Sequence, residues 1–175
     1  MGGISMKKVA ALVTNQFEDV ELTSPRKALE KAGNHVDVIE KKAGSTIVGE
    51  HGTKAKVDKS IDDVKPSDYD ALLLPGGFSP DQLRVDDRFV NFVKAFLLSN
   101  KPVFAICHGP QFFMQSGLAN ELTLTAYTTI RTDLFYAGAR VKDQALVVDK
   151  KHNLYTSRTP ADLDKFNPAI VNALK

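Results

Sequence analysis

Three short apolar runs lacking the polar alternation of a half-exposed strand constrain the fold most: Val9-Ala10-Ala11-Leu12-Val13, Ala71-Leu72-Leu73-Leu74 and Val103-Phe104-Ala105-Ile106. A strand that is apolar on both faces must be covered on both, as parallel strands between two helical layers are. The runs stop at Asn15-Gln16-Phe17-Glu18-Asp19, at Pro75-Gly76-Gly77 and at Cys107-His108-Gly109-Pro110, and stretches of helical periodicity separate them. This predicts an α/β fold: a doubly wound, mainly parallel sheet with helices on both faces, whose ligands bind beyond the carboxyl ends of the strands. The three ends, distant in sequence, are therefore expected to meet in one crevice.

The remaining segments fit around this frame. A helix is expected between about Glu18 and Ala32, stopped by Gly33-Asn34; Pro25 is tolerable in a first turn, which would start the helix near Ser24. His35 to Glu40 alternates as a strand, and the polar stretch 41–66 holds two β-like pieces, near Thr46-Ile47-Val48 and Ala55-Lys56-Val57-Asp58, that suggest a hairpin insertion. From Asp86-Asp87, Phe89, Val90, Phe92, Val93, Phe96 and Leu97 recur at helical spacing, so these aromatics belong to the core. After Cys107 we expect a helix from Pro110 to Ser116, a strand near Leu122 to Leu124 and a helix from Thr129 to Ala137. Strands at Ala145 to Val148 and Asn153 to Thr156 and a last helix to Leu174 follow. One domain is expected over 7–175, with 1–6 an N-terminal extension or expression remnant.

Net charge is only +2, with acids and bases interleaved, so no basic face suggests nucleic acid or an anionic membrane. No apolar run is long enough to span a membrane. One cysteine in 175 residues excludes an internal disulfide, and there is no Cys/His cluster for a structural metal; both suit a reducing, cytoplasmic setting. Neither a G-x-G-x-x-G after the first strand nor a Walker loop is present, so no nucleotide cofactor is expected.

The chemistry-bearing residues sit at the three strand ends. A lone cytosolic cysteine is ordinarily a small buried hydrophobe. Cys107 differs by standing between a strand and Gly-Pro, where backbone N–H groups of a following helix would lower a thiol pKa and bind an oxyanion. His108 is either a turn residue or a base for the thiol, since neighbouring side chains rarely share a hydrogen bond directly. Glu18 is expected beside the thiolate with its own pKa raised, able to donate a hydrogen bond or shuttle protons; Asp19 and Glu21 are alternatives because the helix phase is open. Gly76 and Gly77 are turn residues or oxyanion donors.

Phe17-Glu18-Asp19-Val20-Glu21-Leu22, Gly49-Glu50-His51-Gly52, Asp70 to Gly77, Ala105-Ile106-Cys107-His108-Gly109-Pro110-Gln111 and Thr156 to Leu163 together resemble the PfpI intracellular protease branch of the ThiJ/PfpI superfamily over nearly the whole chain. The resemblance implies a flavodoxin-like sandwich, Cys107 as nucleophile and Glu18 in contact with its sulfur. It also implies an oxyanion hole from the N–H groups of Gly77 and His108, and a Cys-His-acid arrangement completed across a subunit interface. By motif position that acid is Asp81, one methylene shorter than the family's glutamate. A homodimer or higher homo-oligomer is implied in the same way.

The function expected is that of a cytoplasmic stress-response protein acting through Cys107 on a small carbonyl or peptide substrate, as a peptidase or deglycase-like hydrolase. The alternatives are a cofactor-independent glyoxalase converting methylglyoxal to lactate, and a non-enzymatic redox sensor whose cysteine is oxidised to a sulfinate.

Overall fold

The computed structural model describes residues 6–175; the expected extension falls, apart from an exposed Met6, outside the described residues. In chain order the elements are β1 (Lys8–Leu12), α1 (Asp19–Lys31), β2 (His35–Glu40), β3 (Thr46–Val48), β4 (Lys54–Lys56), β5 (Lys59–Ser60), β6 (Ala71–Leu74), α2 (Ser79–Leu83), α3 (Asp87–Ser99) and β7 (Val103–Ile106). They continue with α4 (Phe112–Gln115), β8 (Thr123–Leu124), α5 (Thr128–Tyr136), β9 (Arg140–Val141), β10 (Val147–Asp149), β11 (Leu154–Ser157) and α6 (Leu163–Ala173).

Seven strands form one sheet in the order β10-β11-β7-β6-β1-β2-β5, parallel throughout except for β10 against β11. The apolar runs are its centre. Strand periodicity splits them cleanly: Val9, Ala11, Leu73, Phe104 and Ile106 pack with α1 and α6 through Leu22, Leu29, Phe166 and Ile170. Ala10, Leu12, Leu72, Leu74, Val103 and Ala105 face the other way, onto Phe89, Phe92, Val93, Phe96 and Leu97 of α3 and onto Phe112 and Leu134 of α4 and α5. Two helical layers on one parallel sheet are the flavodoxin-like arrangement expected, with β3 and β4 paired as the small hairpin.

Chain direction from β1 runs to β2 on one side and to β6 and β7 on the other, so a topological switch point lies at the carboxyl ends of β1 and β6. The adjacent ends of β1, β6, β7 and β11 therefore open on one region.

Several local expectations are corrected. Helix α1 begins at Asp19 and runs through Pro25, which lies well beyond the first turn; Pro25 is buried, and tertiary packing outweighs the lost hydrogen bond to the preceding turn. Helix α2, unforeseen, follows Gly77 with Pro80 in its first turn. After Cys107 comes a single 3-10 turn, Gly109–Gln111, and only then the one-turn α4. The elbow thus presents individual N–H groups, without the macrodipole of a long helix behind them.

Candidate active site

Cys107 stands one residue past β7 with a φ of +62°, in the left-handed region that non-glycine residues rarely occupy. Its backbone is fixed on both sides: its N–H donates to the Ser157 carbonyl (3.0 Å), and its own carbonyl accepts from Tyr127 N–H (2.9 Å). This backbone turn swings the thiol away from the strand and brings the next side chain to it. His108 Nδ1 lies 3.2 Å from Sγ, so the two neighbours do share a direct contact, against the usual geometry of adjacent residues. Tyr127 stacks on the imidazole at 4.7 Å between ring centroids. Burial lowers the His108 pKa, against the opposing fields of Glu50 and Asp81, and so favours the neutral, proton-accepting imidazole.

The carboxyl beside the sulfur belongs to Glu21, and this corrects the expectation for Glu18. Glu18 is the N-cap of α1 with extended backbone (φ −70°, ψ 113°), and its side chain turns to the rim, where Oε1 lies 3.5 Å from His51 Nε2. Glu21, in the first turn, shares the buried face of α1 with Leu22, Pro25 and Leu29 and is fully enclosed. Its Oε1 accepts from Gly76 N–H at 3.0 Å. Its Oε2 is buried with no partner of full hydrogen-bond geometry, leaving the Cys107 thiol, against which the carboxyl packs, as the group it can serve.

Burial pushes the Glu21 pKa up to about 8, outweighing the contacts with Cys107 and Gly76, and the charges of Glu18 and Glu50 push the same way. Glu21 is therefore a protonated donor at neutral pH. Burial also raises the thiol pKa, as does the Glu21 charge whenever that group ionises; the N–H groups of His108 and Gly77, directed at the sulfur, oppose both. While Glu21 keeps its proton the like charge is absent, and a thiolate would meet three donors.

Neither Gly77 nor His108 uses its N–H on a backbone carbonyl among the described residues, so both remain available beside the nucleophile. Gly76 does not: Glu21 occupies its N–H, which removes Gly76 from the expected oxyanion donors. Its lack of a side chain still matters, because a Cβ there would lie 2.5 Å from Glu21 Oε1 and 2.8 Å from His108 N. Gly77 has a φ of +74° and bridges to Phe17, which ties the β6 end to the loop preceding α1.

These groups line an open cleft of about 460 Å³, walled further by Phe78, Gln111, Tyr127 and Ile130. Asp81, on α2, faces the same cleft within the same chain; no hydrogen bond joins it to His108 among the described residues. Glu50, which the sequence reasoning did not single out, is a second acid acting on His108. The signal was the Gly-Glu-His-Gly turn, whose position depends on Asp19: buried at the start of α1, its carboxylate accepts from His51 N–H (2.9 Å) and Thr53 N–H (2.8 Å). Burial would raise the Asp19 pKa, but the Thr53 side chain and then these backbone hydrogen bonds hold it down at about 2. The carboxylate fills the space next to Gly49, so this turn is pinned over the cleft.

The sequence model of the DJ-1/PfpI family matches residues 7–173. A Bacillus subtilis protein named putative cysteine protease YraA is 56% identical over 169 residues, covering 97% of this chain and 99% of its own. General stress protein 18 of the same organism is 54% identical, covering 92% and 94%. Among solved structures, a two-domain Anabaena variabilis protein with DJ-1/ThiJ/PfpI-like and ferritin-like domains superposes with a TM-score of 0.92 at 37% identity, over 96% of this chain and 50% of that one. Drosophila melanogaster DJ-1beta superposes at 0.88 with 24% identity, over 97% and 91%.

Proposed function

The chain belongs to the DJ-1/PfpI family, and from that premise we propose that it is a cysteine-dependent hydrolase of electrophilic carbonyl compounds, peptides or glycated amines, with Cys107 as nucleophile. The observation that carries this reading is the left-handed turn at Cys107, which presents one thiol to an imidazole, a buried protonated carboxyl and two N–H groups that no backbone carbonyl occupies. The relative named as a putative cysteine protease supports it.

In the proposed sequence the thiol proton passes to His108 Nδ1 as sulfur bonds to the carbonyl carbon, and the carbonyl electron pair moves onto oxygen. The N–H groups of Gly77 and His108 receive that oxyanion. Collapse expels the amine, which takes the proton from His108, and leaves a thioester. Water then attacks the thioester, giving its proton back through His108 and releasing the acid and the free thiol. Glu21 keeps the sulfur in a neutral, hydrogen-bonding environment throughout. Asp81 serves as a field on His108 from its own chain, and a completing role across a homo-oligomer interface stays part of the proposal, as does a cytoplasmic stress role, supported by the stress-protein relative.

Oxidation of Cys107 is a second reading, favoured by the same ring of donors, which would bind the oxygens of a sulfinate. Turnover of casein, methylglyoxal and a glycated amine by the wild type and by Cys107→Ser separates the readings. Hydrolysis lost in the serine variant supports the first. Isomerisation of methylglyoxal alone would make the protein a glyoxalase, with Glu21 as the proton shuttle. Absence of any turnover, with peroxide adding oxygen to Cys107, would replace the hydrolase with a sensor.

A further inference from the structure

Gln111 ends the 3-10 turn that follows the nucleophile and lines the cleft, yet the chemistry above gives it no part. Its side chain is only 3% exposed. Arg84, at the C-terminal end of α2, holds its carbonyl: Nη1 donates to Gln111 Oε1 at 3.0 Å, and Nη2 donates to Gln115 Oε1 at 3.4 Å. A guanidinium has donors only, so this contact fixes which end of the carboxamide faces Arg84 and which faces away. The bond is charge-assisted and draws electron density onto the carbonyl oxygen, which makes the far N–H2 a stronger donor.

That N–H2 has no partner. Gln111 Nε2 donates to no acceptor among the described residues, although the polar groups of buried side chains are in large majority paired. Nor is it sealed inside the protein, as the unpartnered Arg84 Nε and Thr125 Oγ1 are; the space it meets is the cleft that Gln111 lines. The backbone N–H groups of Gly77 and His108 are directed at the sulfur, whereas no hydrogen bond joins Gln111 to it. Gln111 therefore offers the cleft a donor that the thiol does not use, held in place before any ligand arrives.

We propose that Gln111 is a specificity-determining residue, whose Nε2 donates to a second oxygen of the substrate, a neutral amide carbonyl flanking the carbonyl that Cys107 attacks. The class selected is that of acyl compounds with an amide oxygen next to the scissile group. Plain alkyl acyl groups of the same length leave the donor unpaired and are disfavoured. The substrate part of this inference rests on the hydrolase reading above; the donor site itself does not.

Cys107 is the sole cysteine, so thiol labelling reports on this position alone. Two neutral methanethiosulfonates are compared, one ending in a dimethylcarboxamide, which accepts but cannot donate, and one in its branched alkyl isostere. Both react alike: the thiolate attacks the sulfenyl sulfur, a mixed disulfide forms and methanesulfinate leaves. Rate constants in mildly alkaline buffer are each divided by the rate for N-acetylcysteine. The carboxamide reagent should then exceed the alkyl one by roughly two- to tenfold, as one net hydrogen bond supplies. Gln111→Met keeps the length without the amide, and Gln111→Glu still accepts from Arg84 but carries no N–H in that buffer; both should bring the ratio towards one. In the proton–nitrogen spectrum of the wild type, the assigned Gln111 carboxamide protons should move downfield in the carboxamide adduct relative to the alkyl adduct.

A normalised ratio at or below one, or a ratio that neither substitution moves, overturns the proposal. The spectrum needs no variant, so misfolded variants, seen by circular dichroism, leave the test intact: a Gln111 carboxamide alike in the two adducts is then the refuting result. Parallel turnover of an N-acetylglycine ester and the matching pentanoate ester, each relative to its alkaline hydrolysis, addresses the substrate. If neither is turned over while the labelling ratio holds, the hydrolase reading fails and the donor site stands. If the pentanoate ester is turned over as well or better, the substrate class is wrong.

Discussion

Glu21→Gln tests the buried carboxyl most sharply, because its consequence is a pH dependence with a definite sign. Glu21 has an ordinary pKa of 4.5 when unfolded and about 8 in the fold, where burial penalises its charge. Between those values the folded protein binds the proton and the unfolded chain does not, so stability is full below pH 4.5 and is lost as pH rises through about 8. Each pH unit in that window removes about 1.4 kcal/mol, and crossing it removes about 5 kcal/mol. Glutamine has the same shape, can accept from Gly76 N–H through Oε1 and donate to sulfur through its amide, and cannot ionise.

The variant should therefore match the wild type at pH 5 and gain on it steadily to pH 8. Urea unfolding at half-unit intervals measures the gap. With an m value of about 2 kcal/mol per molar, the midpoint difference should open by about 2 M urea over the range. A gap that stays flat between pH 5 and pH 8 would refute the assignment of a protonated Glu21, and a gap of the opposite sign would mean that the carboxylate is the stabilised form.

Three other perturbations probe separate parts of the site and fold. Gly76→Ala places a Cβ 2.9 Å from that of Cys107 and closer still to Glu21, so chemical denaturation should show a loss of about 1–3 kcal/mol and iodoacetamide labelling of Cys107 should change with it. Asp19→Ala strands two N–H groups of the 49–53 turn and should cost about 1–3 kcal/mol. Because the Asp19 pKa is held down, the wild-type advantage should be present above pH 3.8 and shrink as pH falls towards 2, which acid titration of the pair would follow. Phe104→Ala empties a fully buried position in central strand β7 and should cost about 3–5 kcal/mol by urea unfolding, with little effect if the sheet were not packed on both faces.

The architecture was legible because burial on both faces writes itself into composition: Ala71 to Leu74 and Val103 to Ile106 have no polar residue to spare for solvent, and both are fully buried. The site was legible to the level of strand ends. What failed was angular. Glu18 and Glu21 lie within one turn, and choosing between them needs the phase of α1, which the apolar positions Leu22 and Leu29 carry but which the assumption of a helix starting near Ser24 concealed. Pro25 misled because propensity describes isolated helices, and here the proline is buried in the fold. His108 was undervalued for a related reason: the contact with sulfur depends on a positive φ at Cys107, a conformation that no local sequence preference predicts for cysteine. Glu50 reaches the cleft only because Asp19 grips a turn more than thirty residues away in sequence, and pairwise tertiary hydrogen bonds of that kind leave no periodic trace.

Covalent catalysis by Cys107 is tested most directly by trapping its intermediate. Wild-type protein mixed with a peptide ester is quenched in acid within milliseconds to seconds, and its intact mass and the mass of the Cys107-bearing peptide are measured. The account predicts an acyl increment on that peptide, formed and lost at the rate of turnover and absent in Cys107→Ala. Turnover with no increment on Cys107, or turnover that persists in Cys107→Ala, would contradict it.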